Sequence, residues 1–473
     1  MTTTFPRIIW LITSAVFYSI LAYTVPRQQF GLVIGLSTGL FLGYGWVVTS
    51  PPTPVHQERG ARRASCSPFF SRKGAGGEVD LDSFLFTAAI IFRLLLLFAT
   101  PKLSDDVYRF IWDGRLLAHG FNPYLYLPST IIGTPVATAS GLDQVLFQQL
   151  NSPNYFTVYP PFNQAFFGLA ALLANGNLLW NIVWLRIPIL LSEMGTLWLL
   201  PKLLRNLDLN SNLTLLYGLN PLVILELTGN LHFEAVMIFL GLLASWWLMQ
   251  KQFIASASAL ALAIATKLLP LLLLPLVVRR LGWGRGIAYA ALTGGLTMAL
   301  FLPFASLELV QNVFSSINLY FQKFEFNASV YYIARAIGYW GSGYNIIGYA
   351  GFSLSIGIIG CVLWIAFRWQ NVSTQTQALA MLTIYFTLAT TVHPWYITTL
   401  VAASVFTRFR YPLVWSALIP LSYFTYRSSP YSENLWLTAI EYSIVGVVAV
   451  WEIWQNQTKK ATGQSTDGFS KVG

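Results

Sequence analysis

The sequence predicts an all-α polytopic membrane protein with about 11–14 transmembrane helices, because apolar runs long enough to cross a bilayer recur along almost the whole chain. Composition supports this class. Hydrophobic residues make up 55% of the 473 residues, only 10% are charged, and the mean hydropathy is +0.58. Soluble domains of this size carry far more charge at their surface. The composition therefore excludes an ordinary soluble fold.

The predicted spans follow one another with short connections. The first two lie at 8–25 and 30–50, and the first is expected to be a retained span, since no small-residue cleavage site follows it. Further spans are predicted at 83–101, 178–201, 212–230, 233–250, 253–267, 268–280, 284–304, 345–368, 376–392, 394–409, 411–427 and 435–455. The short pairs around 267 and 393 are expected to be broken helices. The stretch 156–174 is either a span or a re-entrant segment.

Composition also divides the chain into four parts. Residues 1–50 hold two N-terminal transmembrane helices, and 83–455 form the main transmembrane domain, which we expect to be catalytic. The stretch 51–82 is rich in Pro, Gly, Ser and Arg and is predicted to be a disordered basic cytoplasmic linker. Residues 456–473 are predicted to be a disordered cytoplasmic tail.

Basic residues in short loops predict the orientation, because such loops stay in the cytoplasm. They recur on one side of the predicted spans, at Arg59, Arg62, Arg63, Arg72, Lys73, Arg279, Arg280, Arg285, Arg368, Arg408, Arg410, Lys459 and Lys460. Arg27 does not follow the rule. Orientation and anionic lipid thus explain the net charge of +10, which does not indicate a nucleic-acid partner. Counting spans places these residues near the extracytoplasmic face: Asp105, Asp106, His232, Lys267, Arg335 and His393.

The densest polar stretch of the chain is 101–126, PKLSDDVYRFIWDGRLLAHGFNPYLY, which directly follows an apolar run. Charge beside hydrocarbon is costly and usually functional. The stretch holds six charged residues: Lys102, Asp105, Asp106, Arg109, Asp113 and Arg115. It predicts a polar working site at one face of the bilayer.

Helix signals place this polar stretch on an amphipathic interfacial helix rather than a span. Ser104 suits the N-cap position, with Asp105 and Asp106 in the first turn. Helical spacing puts Asp106, Arg109 and Asp113 on one face, opposite an apolar stripe. One acid would be enough to stabilise the helix N-terminus. Two adjacent acids beside a membrane pocket favour a function.

Polar residues also interrupt three later apolar runs. His232 and Glu234 lie in Gly-Asn-Leu-His-Phe-Glu, where they either handle a proton or line a turn. Lys267 lies in an apolar stretch, so it must pair or line a cavity. His393 and Trp395 lie in His-Pro-Trp-Tyr, which suits a sugar or phosphate site, although a lone histidine is more often structural.

Two more residues lie in loops between the predicted spans. Tyr159 precedes two prolines that start a helix, and a structural role there is at least as expected as ligand contact. Arg335 closes a long outer segment that begins near Ser306. Signals for nucleotide chemistry are absent, because the sequence has no P-loop, no HExxH and no Gly-rich dinucleotide loop. The two cysteines, Cys66 and Cys361, imply neither a disulfide framework nor a zinc site.

Taken together, these motifs resemble the GT-C superfamily of integral membrane glycosyltransferases, and in particular the bacterial mannosyltransferase-like branch that uses polyprenyl-phosphate sugars. The resemblance covers about residues 83–400. It rests on a fairly specific first motif and on later motifs similar in order and spacing. The motifs are Ser104-Asp105-Asp106-Val-Tyr108-Arg109, Trp112-Asp113-Gly114-Arg115, Gly120-x-Asn122-Pro123-Tyr124, Tyr-Pro-Pro, Asn-x-His-x-Glu, Lys-Leu-Leu-Pro and His-Pro-Trp-Tyr.

The resemblance implies that an acidic pair in the first large outer loop is catalytic, and Asp105 and Asp106 match that position. It also implies a lipid-phosphate sugar as donor, with mannose as the expected hexose and a lipid or glycan as acceptor. The expected location is a bacterial plasma membrane, with the site extracytoplasmic. We predict substrate contacts at Arg109, Asp113, Arg115, Asn122, Tyr124, Tyr159, His232, Glu234, Lys267, Arg335, His393 and Trp395. Two spans ahead of the motif depart from the simplest family layout.

General chemistry agrees with such a transfer. An acceptor hydroxyl needs a carboxylate within hydrogen-bond reach, and the departing lipid phosphate needs cations. One base without a covalent partner predicts inversion at the sugar carbon. Asp105 and Asp106 are also a possible site for a divalent cation, Mg or Mn.

Two other classes of function stay open from the sequence. A secondary transporter would explain the span count, Lys267 and the broken helices, but it would not need an acid-headed interfacial helix. A lipid-carrier flippase or polymerase for surface polysaccharide is the second alternative.

Overall fold

The computed structural model describes residues 4–49 and 81–461, and over these ranges the protein is all-α. Within them β pairing is limited to one isolated bridge, between Phe326 and Thr391. The predicted all-α membrane class is confirmed. Nearly all of the predicted linker 51–82 lies outside the described residues, as do residues 462–473 of the predicted tail.

The helices vary widely in length. The first ten are α1 (Thr4–Tyr23), α2 (Phe30–Thr49), α3 (Ser83–Leu94), α4 (Asp106–Ala118), α5 (Pro128–Ile131), α6 (Pro135–Ala139), α7 (Gln144–Gln148), α8 (Pro161–Ala174), α9 (Leu178–Asn206) and α10 (Thr214–Gly218). The others are α11 (Glu234–Met249), α12 (Phe253–Ile264), α13 (Leu274–Leu281), α14 (Trp283–Ala299), α15 (Leu307–Lys323), α16 (Val330–Ser342), α17 (Ile347–Phe367), α18 (Thr374–Leu388), α19 (Ile397–Ser404), α20 (Tyr411–Leu418) and α21 (Leu435–Ala461). Because α21 continues to Ala461, the predicted tail from 456 begins inside a helix.

Six described helices are long and apolar enough to cross a membrane: Phe5–Tyr23, Phe30–Thr49, Leu178–Asn206, Trp283–Phe304, Ile347–Phe367 and Leu435–Thr458. A seventh span results if the π-helical segment Val223–Gly229 and α11, which meet at 109°, count as one. The predicted number was higher because several apolar runs are divided into shorter helices. The stretch 156–174 contains only α8, an apolar helix of 14 residues.

The broken helices predicted around 267 and 393 are confirmed. α12 ends at Ile264 and a 3-10 turn begins at Leu269, while α18 ends at Leu388 and α19 begins at Ile397. Pro270 and Pro394 lie at the start of these 3-10 turns, where the missing N–H of proline leaves no broken hydrogen bond. Each break exposes polar backbone, which a membrane protein tolerates only where it lines a cavity or is buried in protein.

Helix α4 differs in detail from the predicted interfacial helix. It begins at Asp106, so Asp105 rather than Ser104 is at the N-cap position, and the Ser104 hydroxyl accepts a hydrogen bond from the Asp106 N–H at 3.3 Å. Its charged face does not meet solvent, because Arg109 and Asp113 are both buried. The helix is therefore covered by protein on both faces.

Close packing between α4 and α8 explains this burial. A Cβ atom added at Gly114 would lie 2.3 Å from the main-chain oxygen of Phe167. Behind Gly114, Phe110 stacks on Phe167 at a centroid distance of 4.6 Å. Only glycine allows the two backbones to approach this closely.

We expect Gly114→Ala to displace α4 from α8 and to lower the thermal stability of the purified protein, because backbone rather than a flexible side chain blocks the added methyl. Overpacking of this kind typically costs about 1–3 kcal/mol. Gly241→Ala in α11 is the matched control, since no atom lies within 4 Å of its added Cβ. Equal melting temperatures for the two variants would contradict the close approach.

Candidate functional site

The two adjacent acids have different environments. The Asp105 carboxylate forms an ion pair with the guanidinium of Arg27, from the connection between α1 and α2. Arg27 is itself buried, lies over the ring of Tyr426 at 4.2 Å and donates a hydrogen bond to the Tyr431 hydroxyl at 3.1 Å. Asp105 is therefore neutralised by a cation that the C-terminal part of the chain holds in place.

Asp106 is the first residue of α4 and is half-buried. Its Oδ1 accepts a hydrogen bond from the Asn151 side-chain amide at 2.8 Å. Burial raises the pKa of Asp106 above its usual 3.8, against the opposing effects of the Asn151 hydrogen bond and of the positive charge on Lys267. A carboxylate with a raised pKa is a better proton acceptor than one neutralised by arginine.

Lys267 belongs to the same site as Asp106, although 161 positions separate them in the sequence. Its ammonium group pairs with Glu234 Oε1 and lies 5.1 Å from the ring centroid of Tyr396. The lysine side chain is 25% exposed, whereas Glu234 is buried. The break after α12 thus brings a cation to the start of α11.

The aromatic residues of this site form a stack. The Trp395 ring lies between two imidazoles, 3.8 Å from the His232 centroid and 4.4 Å from that of His393, with planes within 15°. Phe326 continues the stack, 4.7 Å from His393. His393 lies between helices, where burial lowers its pKa to about 3, with a further contribution from Lys267. Its ring is therefore neutral at neutral pH.

Three buried polar atoms around this stack have no hydrogen-bond partner among the described residues: His232 Nε2, Glu234 Oε2 and His393 Nδ1. Buried polar groups are almost always satisfied in folded proteins, and exceptions call for an explanation such as a ligand. His232 Nε2 does lie 3.6 Å from Glu226 Oε2, which is too long for a hydrogen bond. Three unsatisfied atoms at one place are suited to a ligand rich in hydroxyl groups.

Glu226, in the π-helical segment Val223–Gly229, stabilises the backbone next to this stack through hydrogen bonds. It accepts hydrogen bonds from the Tyr423 hydroxyl at 2.6 Å and from the Asn230 amide at 3.2 Å. Asn230 in turn accepts the N–H of Leu103 at 3.2 Å. A single chain of hydrogen bonds therefore connects the segment before Asp105 with the segment before His232.

Several predicted contact residues have partners inside the protein instead. Arg109 donates to Asp113 at 2.9 Å and to the main-chain oxygen of Tyr155 at 2.8 Å, while Asp113 also accepts from Gln164 at 3.1 Å. Arg115 donates to the main-chain oxygens of Gly141 and Gly176. These residues tie α4 to the loops around it.

The other predicted contact residues near the first motif also have their partners inside the protein. Asn122 donates to the main-chain oxygen of Phe304 at 3.2 Å, and the Tyr124 hydroxyl donates to that of Tyr159 at 2.6 Å. The Tyr159 ring packs edge-on against Phe110 at 4.9 Å. The three residues shape the segment after α14 and the start of α8.

Arg335, in α16, belongs to a different cluster of charged and aromatic residues, next to the connection between α15 and α16. It pairs with Glu325 and lies 4.3 Å from the Tyr332 ring centroid, and the Tyr332 hydroxyl bonds to Glu433. The structure does not bring Arg335 together with Asp105 and Asp106.

The described residues contain no group of three or more His, Cys, Asp or Glu side chains that would hold a metal ion. Asp105 is engaged by Arg27, which leaves Asp106 without a second free carboxylate beside it. This donor set does not fit Mg²⁺ or Mn²⁺, which need several oxygen ligands. The predicted divalent cation stays a prediction.

Sequence reasoning missed five residues of the site: Arg27, Asn151, Glu226, Tyr423 and Tyr426. Arg27 was visible only as an exception to the charge rule. Glu226 is an acid within an apolar run, and such a residue is a candidate for function by default. Nothing in the local sequence marks Asn151, Tyr423 or Tyr426.

Comparison with known proteins bears on the same region. A family model described as "Alpha-(1->6)-mannopyranosyltransferase, N-terminal domain" matches residues 33–282. The match includes Asp105, Asp106, His232 and Lys267 and ends before the other members of the aromatic stack, Phe326, His393 and Trp395. Part of the candidate site therefore lies outside the matched domain.

Three relatives align with less than half of the chain. Alpha-(1->6)-mannopyranosyltransferase A of Corynebacterium glutamicum is 24% identical over 212 residues, which are 44% of this chain and 41% of that protein. The A protein of Mycobacterium tuberculosis is 28% identical over 193 residues, 40% of this chain and 35% of that protein. The B protein of C. glutamicum is 24% identical over 213 residues, 45% of this chain and 32% of that protein. The chain thus spans less than half the length of each relative.

Proposed function

Because the chain belongs to the alpha-(1->6)-mannopyranosyltransferase family, whose N-terminal domain model matches more than half of its residues, we propose that it is a membrane glycosyltransferase. It transfers a mannosyl group from a polyprenyl-phosphate donor to a lipid or glycan acceptor. The names of the relatives support mannose and a 1→6 linkage. One observation carries the proposal: a half-buried carboxylate, a cation and three unsatisfied buried polar atoms meet where several membrane helices are broken.

Asp106 acts as the general base in this proposal, and Asp105 holds Arg27. Asp106 takes the proton of the acceptor hydroxyl as its oxygen attacks the anomeric carbon. The bond between that carbon and the phosphate oxygen breaks, and the electron pair leaves with the polyprenyl phosphate. Attack opposite the leaving group inverts the anomeric carbon. The positively charged groups of Lys267 and Arg27 stabilise the departing phosphate.

The aromatic stack supplies the sugar subsite. A pyranose ring presents hydroxyl groups at its edge, and these hydroxyls bond to His232 Nε2, Glu234 Oε2 and His393 Nδ1 at the edge of the stack. Neutral imidazoles both donate and accept hydrogen bonds, which suits them to hydroxyl groups. Orientation by loop charge supports a site on the extracytoplasmic face of a bacterial plasma membrane.

The direct test is transfer by purified protein given a panel of polyprenyl-phosphate sugars, followed by mass spectrometry of the lipid products. We expect Asp106→Asn to lower turnover about 10²–10⁴-fold, the usual contribution of a general base. Asp105→Asn should lower turnover by a smaller factor, because it disturbs Arg27 and not the proton acceptor. Asn has nearly the size of Asp and caps helices equally well, so both variants should fold.

Asp208→Asn is the control for this series. Asp208 is exposed and has a φ of 55°, a conformation that asparagine readily adopts. Full turnover by an Asp105→Asn, Asp106→Asn double variant would contradict the assignment of Asp106 as the general base. Glu234 would then be the next candidate for the base. Movement of a labelled solute across vesicle membranes without any sugar transfer would instead support a transporter.

The pH dependence of turnover should reflect the ionisation of the Asp106 carboxyl group. The base must be ionised, so activity is lost as pH falls through its pKa, which burial holds above 3.8. The Asn151 amide stabilises the carboxylate. We therefore expect Asn151→Leu to raise this pKa and to move the acid limb of the pH–rate profile upward, with little change at the plateau. Asn154→Leu, an exposed position of the same loop, is the control. An acid limb that stays in place or moves down would contradict the role of Asn151.

Binding of the donor phosphate should depend on Lys267 and not on Arg335. Charge-balanced double variants avoid leaving a carboxylate without its cation, and Glu234→Gln alone measures the share of the effect that comes from the proposed sugar contact of Glu234. We expect Lys267→Met, Glu234→Gln to raise the donor KM about tenfold or more, in line with the loss of a charged hydrogen bond. Arg335→Met, Glu325→Gln should leave it nearly unchanged. The opposite ranking would move the phosphate site to the α15–α16 cluster.

A further inference from the structure

A cavity of about 370 Å³ lies far from the candidate catalytic site, where α13 meets α14 and α17 ends. Its walls are Arg279, Gly282, Trp283, Phe367, Arg368 and Gln370. We refer to it as the basic cavity. None of its residues takes part in the site around Asp106.

Helix α18 connects the neighbourhood of the basic cavity with that of the candidate site. At the start of α18, Gln377 donates to the main-chain oxygen of Ile365 at 3.1 Å, one turn before the cavity. α18 ends at Leu388, five positions before His393. A helix of 15 residues is roughly 22 Å long, so the cavity and the aromatic stack lie near opposite ends of one helix.

The charge around the basic cavity is unbalanced. The segments 274–300 and 347–388, which contain α13, α14, α17 and α18, carry four arginines and neither Asp nor Glu. Arg279 and Arg368 form no ion pair within the part of the chain that the structure describes. Two guanidinium groups that face one cavity without a carboxylate attract an anion.

Aromatic residues place the basic cavity at the level of the lipid headgroups. Trp283 stacks on Phe367 with centroids 5.3 Å apart and planes at 5°. Trp283 is 68% exposed, and Trp364, one turn before the cavity, is 57% exposed. Exposed tryptophans at the ends of membrane-spanning helices mark the interface between hydrocarbon and water. Here they flank the cavity.

We propose that the basic cavity binds the phosphate headgroup of an anionic membrane lipid. The phosphate lies between Arg279 and Arg368. Gln370 Nε2, which already donates to the main-chain oxygen of Phe367 at 3.0 Å, donates its second N–H to a headgroup oxygen. Below the cavity, exposed apolar side chains of α14 and α17, such as Ile287 and Leu363, contact the acyl chains. Basic pockets between membrane helices bind anionic headgroups in this way. A soluble phosphate shares the headgroup chemistry but would not use these apolar surfaces.

Binding is tested on the full-length protein in detergent, by native mass spectrometry and by thermal unfolding. The added probes are dioleoylphosphatidylglycerol, dioleoylphosphatidylcholine and inorganic phosphate, and a bound ligand raises the unfolding midpoint by mass action. We expect selective binding of phosphatidylglycerol. Arg279→Gln, Arg368→Gln should weaken it about tenfold or more through loss of two charge-assisted contacts.

The matched control is Arg280→Gln, Arg285→Gln, which removes the same charge from the same face without touching the cavity walls. It should keep most of the affinity. An equal loss in this control, or equal binding of phosphatidylcholine, would overturn the site. Protection by inorganic phosphate as strong as that by phosphatidylglycerol would overturn the lipid assignment. If the double variant cannot be purified as a folded protein, the single variants Arg279→Gln and Arg368→Gln are measured in the same way, and each should weaken binding of phosphatidylglycerol.

Discussion

The buried guanidinium of Arg186 is the contact on which the geometry of the candidate site depends. It lies in the membrane-long helix α9 and donates to the main-chain oxygens of Leu97, Ala99, Thr228 and Gly229. These oxygens belong to two places where a helix ends inside the protein. Unsatisfied carbonyl groups there would cost several kcal/mol each in an apolar interior. One side chain satisfies both ends, and it thereby fixes the segments that lead to Asp105 and to His232.

Charge pairing then determines what the site can bind. Each cation beside Asp106 has a carboxylate partner, Asp105 for Arg27 and Glu234 for Lys267. Such pairs keep buried or half-buried charges from being left alone, which would be strongly destabilising. In the proposed reaction, the donor phosphate would share these two cations with their carboxylates. The same pairing explains why the two adjacent acids differ, since only Asp105 is neutralised by arginine.

The site is assembled from parts of the chain with different relationships to known proteins. The acids, His232 and Lys267 lie within the matched N-terminal domain, whereas Arg27 precedes it and Phe326, His393 and Trp395 follow it. Tyr423 and Tyr426, near the C-terminus, close the site behind Glu226 and Arg27. The candidate site therefore combines residues inside the matched domain with residues outside it.

The sequence by itself determined the membrane class, the helix breaks around 267 and 393, and the candidate importance of Asp105, Asp106, Lys267 and Trp395. These follow from local properties, namely hydropathy, proline and charge density in apolar surroundings. The direction in which a polar side chain points depends on its neighbours in space. For that reason Arg109 and Asp113, polar by pattern, turned out to be buried partners of each other, and Arg335 lies in another cluster. The tertiary structure alone distinguished Asp105 from Asp106, because Arg27 and Asn151 reach them from positions 78 and 45 residues away.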